Sequence, residues 1–417
     1  MEQPKENKMG TMPVNKLLVT MSLPMVISMI VQALYNIVDS IFVSRLSEDA
    51  LTAVSMAFPM QNLMISVAVG TGVGINAMLS RALGEKKFEA ANKTAENGIF
   101  IEVLGYVLFL LIGIFVTKPF FLAQAGAGDI ANMGIEYTRI CLLMSFGIFM
   151  QIGFERILQS TGRTIFTMIT QSTGAIINII LDPILIFGLF GMPKMGVAGA
   201  GWATVIAQFI SGILCFVYSL KKFPILRLTK HDWKFSWKFA WQHLEVGLPM
   251  AFQFSITAIG TMVIQSALNS LGSTAVAAFT AGSKIDQFAT QPLASLGVAV
   301  ATYTAQNYGA RELERIKKGV TGAAIIATVC GIVGGFVVIT FAKPLVALFV
   351  GSGQNEVMSL SKEYLVLNGV FYVILGLLFV YRNALQGIGS SMIAFFGGVW
   401  ELVMRSLVAF VLVSYLK

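Results

Sequence analysis

An aspartate lies inside a long apolar run near the start of the sequence, where an ionised carboxylate is costly. Asp39 occurs in the stretch YNIVDSIFVSRL. On a helix, Gln32, Tyr35 and Asn36 precede it by seven, four and three residues and would share its face. An ionisable residue within a membrane span is rare and usually functional. We therefore predict a functional polar site around Asp39.

Asp182, in the stretch NIILDPILIFG, is a second acid of this kind, and Asn178 precedes it by one helical turn. Two membrane-embedded carboxylates can share a proton. Together with an amide oxygen, they also form a ligand set that suits a hard cation such as Na+. The residues do not separate these roles, so Asp39, Asn178 and Asp182 are predicted to bind either H+ or Na+.

The composition indicates a protein with many membrane spans. Hydrophobic residues make up 56% of the 417 residues and charged residues 12%. The net charge of +8 does not point to nucleic acid, because the basic residues cluster in short loops between apolar runs. The three cysteines lie in apolar runs and predict no disulfide framework. We predict a transporter rather than an enzyme, with no cofactor other than the coupling ion.

Eleven segments are apolar enough, over about 20 residues, to cross a bilayer as helices. When loops are assigned alternately to the two sides, one side holds the basic loops 81–93, 221–238 and 311–318. The positive-inside rule then places the N-terminus in the cytoplasm. We expect the protein to lie in the cell membrane. The predicted spans are residues 15–44, 51–80, 96–117, 135–158, 165–190, 196–220, 243–269, 275–305, 319–342, 363–385 and 391–415.

The sequence contains an internal repeat. Residues 23–93 align without a gap on residues 248–318, an offset of 225, and later matches follow at an offset of 227. Two copies of one helical unit are common among secondary transporters. Residue 417 falls before the place of the sixth span in the second copy, so the repeat leads us to expect a twelfth helix beyond it.

The predicted fold is therefore an all-α polytopic membrane protein of two homologous six-helix bundles, the second without its last helix. Its predicted parts are an N-lobe at 1–220, an interfacial linker at 221–242 and a C-lobe at 243–417. Within the linker, the stretch HDWKFSWKFAW predicts a helix lying in the membrane interface.

The repeat bears on the two acids. Asp39 aligns with Ile264 and Asp182 aligns with Ala409, while Asn178 aligns with Arg405. A carboxylate that only braced the fold would be expected in both copies. The asymmetry favours a function for the acids in the first lobe, although burial for packing is the simpler alternative.

Other polar and flexible side chains of the first lobe are candidates for lining a substrate cavity. Methionines offer a pliable apolar surface, although most of them are expected in the core. Glu155 could instead form a salt bridge with Arg156 at the end of its span. Pro24 is expected to loosen the first helix. The predicted cavity residues are Gln32, Tyr35, Asn36, Met60, Gln61, Met64, Gln151, Glu155 and Thr204.

The sequence resembles the multidrug and toxic compound extrusion (MATE) family of antiporters. The resemblance rests on VDSIFVSRL, GEKKFEAANK, LQSTGRT, NIILDPILIFG and GVAGAGWAT, in that order, and extends from about residue 13 to the end. It implies a V-shaped pair of bundles, acting as a monomer, that exports drugs in exchange for H+ or Na+. Asp39, Asn178 and Asp182 match the cation-site positions of the family.

Two departures from the family pattern affect the predicted site. Where family members often have a hydroxyl in the sixth span, this chain has Ala200, and Thr204 lies one turn further on. The second-lobe acid of another branch is absent, with Thr257 near its place. Both departures favour coupling in the first lobe, and the first leaves Na+ binding open.

Three other functions compete with drug export. A lipid-linked oligosaccharide flippase of the same superfamily would need basic residues in its cavity, which the first-lobe spans scarcely supply. An intramembrane aspartyl protease would need a GxGD context, whereas Asp182 precedes Pro183. An ion channel is disfavoured because the polar residues of the two halves differ.

Overall fold

The computed structural model describes residues 8–222, 235–269, 271–350 and 355–416, and these residues are almost entirely α-helical. Within those ranges there is no β-strand. Helices satisfy backbone hydrogen bonds within one segment, which an apolar surrounding requires. The helices of the first copy are α1 (Lys8–Thr11), α2 (Val14–Ser44), α3 (Glu48–Gly84), α4 (Phe88–Phe115), α5 (Thr117–Ala125), α6 (Asp129–Leu143), α7 (Phe146–Ser160), α8 (Thr164–Phe187) and α9 (Val197–Lys222), with a 3-10 turn at Leu189–Gly191.

The second copy continues with six more helices. Its fourth span is one continuous helix, whereas the corresponding span of the first copy is divided between α6 and α7. The helices are α10 (Trp237–Asn269), α11 (Ser273–Gly309), α12 (Leu313–Thr340), α13 (Ala342–Ala347), α14 (Asn355–Gly387) and α15 (Ser391–Leu416).

The helix bounds confirm the internal repeat. At the first offset of the sequence alignment, both ends of α3 and both ends of α4 recur as the ends of α11 and α12. At the second offset, the start of α8 recurs as the start of α15. The two copies therefore fold into the same succession of elements.

Unusual backbone angles recur at the same offsets. Lys86 has a φ of 56°, and its counterpart in the second copy, Arg311, has a φ of 61°. A left-handed conformation is uncommon for residues other than glycine. Gly162 and its counterpart Gly389 have φ values of 73° and 92°. Even the turns between the helices are thus shared by the two copies.

By packing, the chain divides into two compact units. The first unit comprises residues 27–255, and the second unit comprises residues 1–26 and 256–417. Each division falls inside a long helix, shortly after its internal proline, Pro24 in α2 and Pro249 in α10. The lobe boundaries drawn from the repeat, at 220 and 243, stay a prediction.

Nine helices of the described residues are long and apolar enough to cross a membrane, and ten if the bent pair α6 and α7 counts as one span. The predicted span 275–305 is helical, as α11, and is long enough, but it does not reach the same apolarity. The reason is a polar stretch that includes Lys284, Asp286 and Gln287. Membrane crossing by α11 therefore stays a prediction.

The predicted interfacial helix is not seen as a separate element. Residues 237–241 form the first turn of the long helix α10. The rest of that prediction, residues 231–234, lies outside the described residues.

Each unit has its own hydrophobic core. In the first unit, Ile75, Leu79 and Leu158 are buried in one cluster between α3, α4 and α7. In the second unit, Leu296 and Tyr303 lie in a larger cluster built on α11, α12 and α14.

Candidate functional site

Asp39 lies near the C-terminal end of α2, in the first unit. Its side chain is half-buried, and its Oδ1 is buried without a hydrogen-bond partner among the described residues. The Tyr35 side chain bonds Gln32 and is close enough to interact with the charges of Asp39 and Asp182. Gln32 and Asn36 are exposed. Of the predicted polar face, Tyr35 is thus half-buried and lies within range of the charges of both acids.

Asp182 lies on α8 and is fully buried. Asn178, one turn earlier, donates from Nδ2 to Asp182 Oδ1 over 3.4 Å and to Thr204 Oγ1 over 3.5 Å. Asp182 and Asp39 are close enough for their charges to interact. The structure thus places Thr204, a predicted cavity residue, beside Asn178 in the group of Asp39, Asn178 and Asp182 that the sequence predicts as one cation site. Cation binding by this group stays a prediction.

Close packing of α8 against α9 positions Thr204 beside Asn178. A Cβ added at Gly199 on α9 would lie 2.5 Å from the carbonyl oxygen of Leu185. Such a distance is shorter than any real Cβ contact, so only glycine permits this approach. Asp182 also precedes Pro183, whose ring removes a helical N–H and leaves a carbonyl one turn earlier without its usual donor.

Gln61 of α3 joins the site to α6. Its Nε2 donates to the hydroxyl of Tyr137 over 3.2 Å and to Cys141 Sγ over 3.4 Å. Tyr137 and Cys141 are buried and lie within range of the charge of Asp39. Neither was predicted. Their spacing of four residues on one helix face was a signal, but Tyr and Cys are common in apolar helices for packing alone.

Met60 and Met64 are buried in a hydrophobic cluster with Phe109 and Phe149. They are 8% and 3% exposed, which places them in the core and not on an accessible surface. Their predicted contact with substrate stays a prediction. Gln151 is half-buried on α7, against Gly212 of α9.

Glu155 belongs to a second polar cluster of the first unit. Its two carboxylate oxygens accept hydrogen bonds of 2.7 Å, one from Gln159 and one from Gln171. The side chain is 7% exposed. The buried Glu155 carboxylate is thus held in place by the side-chain amides of Gln159 and Gln171. Its charge also interacts with Arg156.

Glu102 of α4 completes this second cluster and was not predicted. It is fully buried, and Thr71 donates to its Oε1 over 2.9 Å. Its Oε2 has no hydrogen-bond partner among the described residues, and its charge interacts with Arg156. Glu102 could have been predicted from the sequence by the argument used for Asp39, because burying a charged side chain in an apolar run is costly.

The cluster of Asp39, Asn178 and Asp182 has oxygen ligands suited to binding a proton or a cation. Asp39 Oδ1, Asn178 Oδ1 and Asp182 Oδ2 are all buried without a hydrogen-bond partner among the described residues. A buried carboxylate oxygen is unfavourable unless it is protonated or faces a cation. Carboxylate and amide oxygens suit Na+ as well as H+. The described residues contain no cluster of three His, Cys, Asp or Glu for a transition metal.

Comparison with known proteins identifies similar chains over nearly the whole length. The family model MatE matches residues 24–184 and 249–411, one match in each copy of the repeat. The probable multidrug resistance protein YoeA of Bacillus subtilis is 26% identical over 402 residues, covering 94% of this chain and 86% of that protein. An FAD transporter of Shewanella oneidensis is 25% identical, covering 97% of this chain and 89% of its own length.

Solved structures are similar as well. A structure described as the outward-facing conformation of a multidrug resistance MATE family transporter of the MOP superfamily superposes with a TM-score of 0.90. It is 27% identical, and the match covers 100% of this chain and 92% of that one. The fold and the sequence therefore point to the same group of membrane proteins.

Proposed function

Because the chain belongs to the multidrug and toxic compound extrusion family, a family of multi-pass membrane transporters, we propose that it exports cationic or amphipathic small molecules in exchange for H+ or Na+. The site of exchange is the cluster of Asp39, Asn178 and Asp182 in the first unit. The direction is outward for the drug and inward for the ion, across the cell membrane.

The observation that carries this proposal is the set of three buried oxygens without donors. Each of the two acids contributes one such oxygen, and Asn178 contributes the third. When both acids are ionised, their mutual repulsion and the lack of donors make the cluster a strong acceptor for a cation. When H+ or Na+ is bound, that attraction is cancelled.

Exchange follows if drug and ion each weaken the binding of the other. Binding linkage requires the two effects to be equal, and couplings of this kind are typically about 5–150-fold. Pro24 lies in α2, the helix that carries Asp39, and interrupts its hydrogen bonding. A bend at that point lets α2 respond to neutralisation of Asp39.

The test is export of a fluorescent cationic dye from liposomes that contain the purified full chain. An imposed pH gradient and an imposed Na+ gradient are applied separately. Asp39→Asn and Asp182→Asn are expected to abolish gradient-driven export, because an amide neither binds a proton in this range nor carries charge. Asp49→Asn is the control, since Asp49 is an exposed acid in the first turn of α3.

Two results would contradict the proposal. Wild-type rates in both Asn variants would place coupling elsewhere, with Glu102 and Glu155 as the next acids to replace. Export of FAD in preference to the cationic dye, in the same liposomes, would contradict the substrate class. Response to one gradient alone identifies the coupling ion.

A further inference from the structure

A groove on the outside of the first unit is lined by charged and polar side chains of α6. Its volume is about 550 Å³. Asn132, Glu136 and Arg139 follow one another at intervals of four and three residues, which places them on one face of the helix. Trp202 of α9 forms the opposite wall.

The charged groups of this groove lack ion-pair partners in the part of the chain that the structure describes. Among the described residues, neither Glu136 nor Arg139 forms an ion pair within 4.0 Å, and Arg139 Nε is buried without a hydrogen bond. Charged side chains within a membrane span almost always pair or face water. A charged groove without internal partners is therefore suited to a ligand that carries both charges.

The other end of the groove is apolar. Leu143 and Met144 line it where α6 ends. Phe146 follows at the start of α7, Ile206 lies one turn after Trp202 on α9, and both side chains are exposed. Polarity therefore falls along the groove, from Asn132 and Glu136 at one end to an open apolar surface at the other. A soluble ligand would leave that open surface uncovered.

The predicted orientation puts the polar end towards the outer face of the membrane. The N-terminus of α6, Asp129, then lies on the outer side, and Arg139 lies ten residues further along, about 15 Å deeper. The Cα–Cβ bond of a helical residue tilts towards the N-terminus of its helix, which for Arg139 is the polar end of the groove. Trp202 matches the preference of tryptophan for the membrane interface.

We propose that this groove binds an outer-leaflet phospholipid with a primary ammonium headgroup, of the phosphatidylethanolamine type. The lipid phosphate accepts hydrogen bonds from Arg139, and its ammonium donates to Glu136. The acyl chains lie along Met144, Phe146 and Ile206. An anionic lipid such as phosphatidylglycerol would satisfy Arg139 with the same phosphate but has no ammonium group to pair with Glu136.

The test is titration of the purified, delipidated full chain with defined lipids, followed by native mass spectrometry. The probes are phosphatidylethanolamine, phosphatidylglycerol with the same acyl chains, glycerophosphoethanolamine without chains, and inorganic phosphate. Arg139→Gln is expected to weaken phosphatidylethanolamine binding about tenfold or more, as loss of a charged hydrogen bond predicts. Glu136→Gln is expected to remove the preference for phosphatidylethanolamine over phosphatidylglycerol.

Matched controls are Arg45→Gln and Glu48→Gln, since both residues are exposed near the same predicted side of the first unit. Both controls are expected to bind the lipid as wild type does. Arg139→Lys keeps the charge and is expected to retain most binding, which protects the test if Arg139→Gln fails to fold.

Three outcomes would overturn the proposal. Equal loss in Arg139→Gln and Arg45→Gln would show a nonspecific charge effect. Equal affinity for the chain-free headgroup, or for phosphate alone, would show a site for a soluble phosphate compound. Tighter binding of phosphatidylglycerol by the wild type would show an anionic-lipid site.

Discussion

The two copies of the repeat share both bounds of their second and third long helices but differ in where they place charge. In the first unit, carboxylates lie on α2 and α8, and Gln61 of α3 bonds a tyrosine. In the second unit, the position matching Gln61 is Asp286 of α11, which accepts a 2.7 Å hydrogen bond from Tyr372. Helix geometry is thus common to both copies, and polar chemistry is particular to each.

The position matching Asn178 carries this difference further. There the second unit has Arg405, which is ion-paired with Glu401 one turn before it. The guanidinium at this position supplies a positive charge beside Glu401 within the second unit itself. The comparison teaches that the second unit has an internal ion pair where the first unit has the amide of Asn178 beside the acid Asp182.

The fourth span differs in continuity as well. In the first copy it is divided into α6 and α7, bent by 44°, whereas α14 runs unbroken. The buried Ser145 at the break matches Tyr372 of α14, whose ring lies in the core and whose hydroxyl reaches Asp286. The small serine leaves the bend without a large side chain to fill it.

The largest expected effect is a difference in ion-driven dye export between variants of Asp182 in the first unit and Asp286 in the second unit. Asp182→Asn should abolish ion-driven dye export, whereas Asp286→Asn should retain most of it, because Asp286 already has a hydrogen-bond partner in Tyr372. Export by the two variants in matched liposomes, at equal protein content, measures the difference. Equal loss in both would mean that the units share the coupling role.

A pair of reciprocal substitutions tests packing. Gly282 of α11 matches Ala57 of α3, and a Cβ added at Gly282 would lie 2.5 Å from the Tyr364 ring. Gly282→Ala should destabilise the protein by about 1–3 kcal/mol through overpacking. Ala57→Gly should cost only about 0.5–1 kcal/mol, through helix propensity. The two shifts in thermal unfolding midpoint, measured in one detergent, should differ in that order, and a reversed order would contradict the packing comparison.

A smaller effect is expected from Tyr372→Phe, which removes the donor to Asp286 and keeps the buried ring. The net loss of one hydrogen bond to a half-buried carboxylate should be about 1 kcal/mol. The control is thermal unfolding of Tyr372→Phe in the Asp286→Asn background, where the loss of stability caused by Tyr372→Phe should be smaller. An equal loss of stability in both backgrounds would show that the effect comes from the ring and not from the hydrogen bond.

The smallest effect concerns a surface ion pair found in the first copy alone. Glu85 lies between α3 and α4, where its partners Lys87 and Arg81 are 2.7 and 3.3 Å away, and the matching residue is Ala310. The hydrogen bond from Lys87, followed by that from Arg81, lowers the pKa of Glu85 below its ordinary 4.5. Glu85→Ala should cost about 0.2–1 kcal/mol.

The pH dependence of that cost has a definite sign. The folded pKa of Glu85 is lowered, so its contribution is full above the ordinary pKa and is lost as pH falls through the lowered value. Wild type and Glu85→Ala should therefore converge in unfolding midpoint at acidic pH. A gap that widened on acidification would contradict the ion pair.

Much of the fold could be predicted from the repeat and from apolar length. The gapless alignment of residues 23–93 on 248–318 already implied that α3 and α11 would begin and end in step, and they do. The break between α6 and α7 could not be predicted, because neither Met144 nor Ser145 is a glycine or a proline. The polar stretch of α11 lowers the mean hydropathy of this helix, so α11 is not among the helices apolar enough to cross a membrane.

The candidate site was partly predictable for a physical reason. Burying a charge is so costly that Asp39 and Asp182 stand out in any apolar run. A tyrosine or a cysteine carries no such cost, so Tyr137 and Cys141 became visible only when the structure showed Gln61 between them. Residues that are neutral and apolar enough to pack become part of a site only through three-dimensional contacts.

The divided fourth span also has a consequence for how the chain enters the membrane during synthesis. Helices α6 and α7 have 15 residues each, about 22 Å, and a bilayer core is about 30 Å thick. Neither can cross alone, so the translocation machinery must release them as one segment. The packing partner of α7 on its far side, α9, is made some forty residues later. The nascent first unit must therefore hold an incompletely packed span in the bilayer until α9 arrives, which makes this the stage of its biogenesis most exposed to misassembly.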